Sequence, residues 1–350
     1  MAARDGYQKH FEGQPELVLA DFGLDQGWTS QTYYQRHLGD VEGDGKLDVV
    51  GIAFAGLMFS SDFSAPKLLD QGYFPNGNFI TALADASGDG RIDLVDFSGL
   101  GFYQNYGFGF NSSGKTFGGR QYYLSDFGRD QGWLTQEETP RLMADVTGDG
   151  RADIIGFGNA GALVSLSGPA NSFSPTINSY ARPIIGIYDF GVWKGWDSYD
   201  RYYRAAADVN GDGKDDIIGF ADAGVMVALS KGNGTFADPI FAIDDFGFEQ
   251  GWSSQDKFPR LLGDVNGDDK ADIVGIGIAG VYVSYGQSDG TFATPTLDYD
   301  ENFTAAHGWT SNDLTPRMLA DADGDGLLDL VGFGYAGVYV LSNLDGLPIG

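Results

Sequence analysis

The sequence predicts an all-β fold, a six-bladed β-propeller of four-stranded antiparallel blades, with the ring closed by an N-terminal strand. Three observations predict it. A nine-residue acidic loop recurs six times along 350 residues. Each copy is followed by short apolar runs rich in Ile, Val and Phe, separated by glycine turns. Helical periodicity is nearly absent. Repeats at this period mean a solenoid, a propeller or an array, and four strands per unit is the pattern of a propeller blade.

The loops lie at 40–48, 85–93, 145–153, 208–216, 264–272 and 321–329. In the fourth, DVNGDGKDDIIGF, Asp208, Asn210, Asp212 and Asp216 stand at positions 1, 3, 5 and 9, and Lys214 at position 7 offers its carbonyl. These are hard oxygen donors, which suit Ca²⁺ better than a softer metal. An EF-hand needs a bidentate Glu at position 12, but that residue is Gly219 and the flanks read as strands.

The other loops give the same donor set. Asp40, Glu42, Asp44, Lys46 and Asp48 form the first, and Asp85, Ser87, Asp89, Arg91 and Asp93 the second. Asp145, Thr147, Asp149, Arg151 and Asp153 form the third, and Asp264, Asn266, Asp268, Lys270 and Asp272 the fifth. The sixth holds Asp321, Asp323, Asp325, Leu327 and Asp329. Clustered carboxylates repel unless a cation sits among them, so about six structural Ca²⁺ are expected, one per blade. The alternative is six solvated acidic turns.

Strands follow from the units themselves. In the fifth they read PRLLGDV, ADIVGIG, GVYVSYG and TPTLDYD. A glycine lies 16 residues after each first Asp, at Gly56, Gly101, Gly161, Gly224, Gly280 and Gly337. Residues 11–23 resemble the outer strand at 235–247, and the last unit lacks such a strand. The N-terminal segment is therefore expected to complete blade six, giving one domain over 1–350.

The totals narrow the function. The formal charge of −28 argues against nucleic acid, which needs basic patches. With no cysteine there is no disulfide framework and no thiolate metal site. The N-terminus shows no apolar signal region, and no run is long enough to span a membrane. A cytoplasmic chain, or one released by a non-classical route, is the expectation.

A second constellation precedes five of the loops. Asp21, Trp28 and Arg36 lead to Asp40; Asp126, Trp133 and Arg141 lead to Asp145; Asp189, Trp196 and Arg204 lead to Asp208. Asp245, Trp252 and Arg260 precede Asp264, and Asn302, Trp309 and Arg317 precede Asp321. An aromatic face stacks on a pyranose, and Arg and Asp bond its hydroxyls. The same residues could instead wedge the blades together, and both readings stand at this point. Blade two has Thr81 at the Arg position and Tyr73 near the Trp position, yet keeps its acidic loop. The set is lost together, which leans toward a ligand site separable from the fold.

DVNGDGKDDIIGF and its partner AGVMVALS resemble the FG-GAP-type repeats of integrin-α propellers and of calcium-containing fungal propeller lectins. With DFGxxQGW and the six-unit length, the chain looks most like the oyster-mushroom type. The resemblance implies multivalent binding of galactose or N-acetylgalactosamine on glycans and glycoproteins, without catalysis. A homodimer is left open. The rivals are an integrin-like protein-binding module and a propeller lyase or hydrolase. His10, His37 and His307 stand at unrelated places and form no acid–base cluster.

Overall fold

The computed structural model describes residues 9–70, 80–105, 108–111, 114–117, 120–168 and 179–344. It holds six four-stranded antiparallel sheets in a ring. Blade one is Arg36–Gly39, Asp48–Ala53, Gly56–Ser61 and Lys67–Asp70. Blade four is Arg204–Ala207, Asp216–Phe220, Val225–Ala228 and Ile240–Ile243, and blade five is Arg260–Gly263, Asp272–Ile276, Val281–Ser284 and Thr296–Tyr299. Blade two carries an extra hairpin, Phe108–Asn111 with Gly114–Phe117, between its third and fourth strands.

Ring closure is as expected. Glu16–Leu19 pairs with Val338–Leu341 as the fourth strand of blade six, with Glu16 opposite Val340 and Leu17 opposite Tyr339.

The second strand of each blade is the reason the ring holds. Asp216–Phe220 and Asp272–Ile276 are buried along their whole length, because neighbouring strands flank them and neighbouring blades cover both faces. Ile218, Phe220 and Val225 of blade four pack with Trp252 and Ile273 of blade five in one core. The fourth strand kinks where it meets the third, with a register shift between Val225 and Met226 in blade four. Gly224 sits at that kink with φ +152°, and a Cβ there would collide with the carbonyl oxygen of Ile243. This close approach explains the glycine 16 residues after the first aspartate.

Two sets of bonds stitch the blades. On the acidic-loop side, position 8 of one loop donates its backbone N–H to the first Asp carbonyl of the preceding loop, as in Ala152 to Asp85 (2.8 Å) and Ala271 to Asp208 (2.7 Å). On the other side, a carboxylate four residues after four of the five motif Trp residues grips the next blade. Asp313 Oδ1 accepts from Ser30 Oγ (3.1 Å) and Thr32 N (2.9 Å). Asp256 takes Ser311 and Asp313, and Asp200 takes Ser254 and Asp256, in the same way. Blade one has Thr32 at this position, so it has no carboxylate to give blade two.

Among the described residues, no helix is long and apolar enough to cross a membrane.

Candidate functional site

Each acidic loop joins the first and second strands of its blade. In loop four Asp208 Oδ1 accepts from Gly211 N (2.8 Å) and Asp212 N (3.2 Å), and Oδ2 from Gly213 N (2.6 Å). The chain thus winds around the first carboxylate, with Gly211 and Gly213 at φ +77° and +80°. Loop five has Asp269 at the second of these places with φ +63°, a conformation aspartate tolerates better than most residues.

The ninth residue is buried and bracketed. Asp272 Oδ1 accepts from Gly286 N (2.9 Å) and Oδ2 from Val265 N (3.1 Å); Asp329 does the same with Asn343 (2.7 Å) and Ala322 (2.8 Å). Burial raises Asp153, Asp216 and Asp272 to about 7, and Asp48 and Asp329 to about 6. A bound cation would reverse that shift.

The loops differ in what stands beside position 5. Arg91 pairs with Asp89 (2.6 Å), Lys214 with Asp212 (2.9 Å) and Lys270 with Asp268 (2.8 Å), and Arg151 pairs with Asp149. In loop one Lys46 turns away to Asp62, and Glu42 accepts from the Ser61 hydroxyl (2.6 Å). Loop six has Leu327 instead of a cation, and there oxygens of Asp321, Asp323 and Asp325 lie within 4.8 Å of one another. That all-oxygen set fits a hard divalent ion.

The second constellation assembles as a unit, but with its aromatic face turned inward. Trp28, Trp133, Trp196, Trp252 and Trp309 are only 6–8% exposed. Each packs on the Phe that follows the motif Asp, or Asn302 in blade six, for example Trp252 on Phe246 at 5.0 Å between ring centres. Each also covers a glycine of the second strand: Gly51, Gly156, Gly219, Gly275 or Gly332. The Phe itself takes a left-handed backbone, φ 59° at Phe246, which costs on the order of 1–2 kcal/mol for a bulky residue. The motif Asp offsets this: Asp245 Oδ1 accepts from Phe246 N (2.6 Å) and from Trp252 Nε1 (3.2 Å).

Arg36, Arg141, Arg204, Arg260 and Arg317 are 0–3% exposed. Arg260 Nη1 donates to the carbonyls of Phe246 (3.2 Å) and Trp252 (3.4 Å), and Nε to Gln255 Oε1 (3.0 Å). Its guanidinium lies 5.0 Å from the ring centre of Phe220 in blade four. Burial lowers its pKa to about 10, which leaves it charged at neutral pH. This packing corrects the expectation that the Trp faces and the arginines meet a sugar directly. The Trp rings are packed on Phe and on the second-strand glycine, and the arginines hold the strained loop from beneath.

Blade two is explained by the same contact. Its first strand has Thr81 opposite Asp96, where blade five has Arg260 opposite Gly275. Without a Trp above it, the second strand has room for a side chain, so the joint loss reports packing rather than a ligand. Tyr73 lies outside the described residues.

What the unit leaves open is a cleft on its outer side. At blade five a cavity of about 390 Å³ is lined by Asp245, Gln250, Trp252, Ile278, Tyr282 and Pro295. It lies between the DFGFEQGW loop and the turn joining the second and third strands. In an antiparallel blade that turn and the acidic loop are at opposite ends of the second strand. The blade-five cleft and the acidic loops therefore open on opposite faces of the ring.

No family model matches the chain, and no curated protein matches it. A solved structure of a lectin from Agrocybe aegerita, described as specifically recognising non-reducing terminal N-acetylglucosamine, is 32% identical with a TM-score of 0.72. The match covers 94% of this chain and 85% of that one. The chain belongs to the fungal β-propeller lectin family. A Tc holotoxin pore of Photorhabdus luminescens, 17% identical with a TM-score of 0.59, also matches over 95% of this chain and 14% of its own length, and shares the fold alone.

In this propeller lectin the broad resemblance read from the repeats therefore holds, while the narrower likeness to the oyster-mushroom type has no support of its own. The lectin's blade-five cleft is lined by Ile278 and Tyr282, which the repeats did not single out. A signal was present: Ile278 in the turn and Tyr282 in the third strand stand at the same offsets from the acidic loop as Tyr335 and Tyr339 in blade six.

Proposed function

We propose that this propeller lectin binds terminal 2-acetamido sugars of the N-acetylglucosamine kind in the clefts between its DFGxxQGW loops and second-to-third-strand turns. The observation that carries the reading is its 32% identity, over nearly its whole length, to a lectin that recognises that sugar. The cleft chemistry agrees. At blade five, Ile278, Tyr282 and the Trp252 edge offer apolar surface, and Asp245 and Gln250 offer hydrogen-bonding groups. Its volume of about 390 Å³ suits a small ligand. Of the motif residues, the half-buried acids Asp21, Asp126, Asp189 and Asp245 stand where a hydroxyl would meet them, and Trp and Arg position them.

Ca²⁺ in the six loops is proposed as structural, since the loops and the blade-five cleft face opposite ways. Repetition around the ring gives multivalency, which multiplies weak monosaccharide affinity by orders of magnitude. Galactose and N-acetylgalactosamine, expected from the resemblance, are the comparison ligands. A glycan array read with and without chelator tests the proposal. Strong signals on N-acetylglucosamine termini are expected. Signals confined to galactose termini would overturn the sugar assignment, and a blank array would overturn the lectin reading.

A further inference from the structure

The clefts share a loop but not their aromatic residues. Tyrosines that meet the Trp edge come from two different places. In blades one and four the tyrosine stands two residues before the buried Arg: Tyr34 lies 6.3 Å from Trp28, and Tyr202 lies 6.1 Å from Trp196, both edge-on. In blades five and six that position holds Phe258 and Thr315, and the tyrosine comes from the third strand. Tyr282 lies 6.2 Å from Trp252, and Tyr339 lies 6.2 Å from Trp309, both at 85°. Blades one and four have Met58 and Met226 at the third-strand position. Each of these four tryptophans thus meets one tyrosine, from one place or the other. Blade three, with Thr139 and Leu163, takes none.

The two places affect the mouth differently. Tyr282 lines the cavity that remains between loop and turn. Tyr202 crosses toward the turn: its hydroxyl bonds Asp222 Oδ2 (3.2 Å) at the turn tip, where blade five has Ile278. Arg201 bonds the other oxygen of Asp222 (2.8 Å) and lies 3.8 Å over the ring of Phe248. One exposed ion pair would be a weak bar. Here the same carboxylate holds two donors, and the guanidinium is also stacked. In blade one the crossing is apolar, with Tyr34 edge-on to Phe54 at 5.4 Å on the turn tip.

We infer that the clefts form two classes: those of blades one and four are strapped shut by Tyr34–Phe54 and by Tyr202–Asp222–Arg201, while those of blades five and six are open and owe their sugar-binding surface to Tyr282 and Tyr339. The inference rests on the reading that the clefts take sugar. An open cleft presents a tyrosine ring and hydroxyl along its floor, suited to a pyranose face and its hydroxyls. A strapped cleft has spent the same groups on one another.

Calorimetric titration of the calcium-loaded chain with methyl N-acetyl-β-glucosaminide tests this. Two equivalents are expected, falling to none in the Tyr282→Met/Tyr339→Met double variant at unchanged melting temperature. Methionine is what blades one and four carry there, so the fold should tolerate it. Conversely, Arg201→Lys, Tyr202→Phe, Asp222→Ile and Met226→Tyr together give blade four the blade-five set and should add one equivalent. Five equal sites in the parent chain, or two equivalents surviving in the double variant, would overturn the partition alone. No binding heat at all would overturn the lectin reading and the partition with it.

Discussion

Trp252 lies so close over Gly275 that a methyl group on the glycine would sit 2.5 Å from the ring carbon Cη2. The two residues come from different parts of the repeat, the loop entering blade five and its buried second strand. The contact recurs with Trp309 over Gly332, where the corresponding distance is 2.7 Å. It makes each tryptophan part of the core.

Trp252→Ala should therefore unfold or loosen blade five rather than only delete a sugar contact. The expected cost is about 3–5 kcal/mol. Gly275→Ala should cost about 1–3 kcal/mol by overpacking. Removing the ring relieves part of the clash and leaves the equally close Phe246 Cε1 at 2.5 Å, so the double variant should be modestly more stable than the sum of the two costs predicts. Strict additivity in a denaturant-unfolding cycle would show that the two do not share this space.

Arg260→Met leaves the carbonyls of Phe246 and Trp252 without their shared donor, and should cost about 1–3 kcal/mol for these buried acceptors. Arg260→Lys should recover only part of that. An ammonium cannot reach both carbonyls and Gln255 while lying flat on Phe220. Thermal denaturation of the pair should place lysine between methionine and the parent.

Asp313→Ala removes the acceptor that ties blade six to Ser30 and Thr32 of blade one. Amide exchange at Thr32 should quicken, while exchange at blade four stays as in the parent, because the loss is local. Uniform acceleration around the ring would instead mean that opening is global at every junction.

Chelation should lower the melting temperature, since an ion bound to the native state alone stabilises it. Loops should empty in order of their charge. Loops two and three, with three carboxylates and a hydroxyl beside a paired Arg, should go first, and loop six, with four carboxylates and Leu327, last. Leu327→Lys should move loop six forward in the order. Anomalous scattering from crystals soaked in graded chelator would read the sequence of loss.

His37 gives the pH dependence. Burial lowers its pKa to about 4, with Nε2 3.1 Å from Thr81 Oγ1. The unfolded chain takes up this proton near pH 6.5 and the folded chain only near 4. Stability from this residue is therefore complete above 6.5 and is lost as pH falls from 6.5 toward 4. The loss should be on the order of 1–2 kcal/mol after solvent screening. At saturating calcium, His37→Leu should flatten that limb, because Leu142 and Leu261 already serve at the same position in other blades.

The sequence by itself determined the repeat, the four strands, the closing strand from residues 11–23 and the acidic loops. These are local patterns, written in spacing and residue type, and period-two strands with glycine turns leave few other arrangements. It also showed that Asp, Trp and Arg travel together. It did not show which way they face, because composition is the same for a wedge and for a ligand platform. Only the tertiary structure decided that: Gly275 opposite Arg260 in the register puts a bare strand beneath Trp252 and a carbonyl cage around the guanidinium. The signal in sequence was the glycine at the middle of each second strand, replaced by Asp96 in blade two. Nor could spacing reveal the cleft. Tyr202 and Tyr282 lie at different places in their repeats and meet equivalent tryptophans only once the loop, the first strand and the third strand are folded against one another.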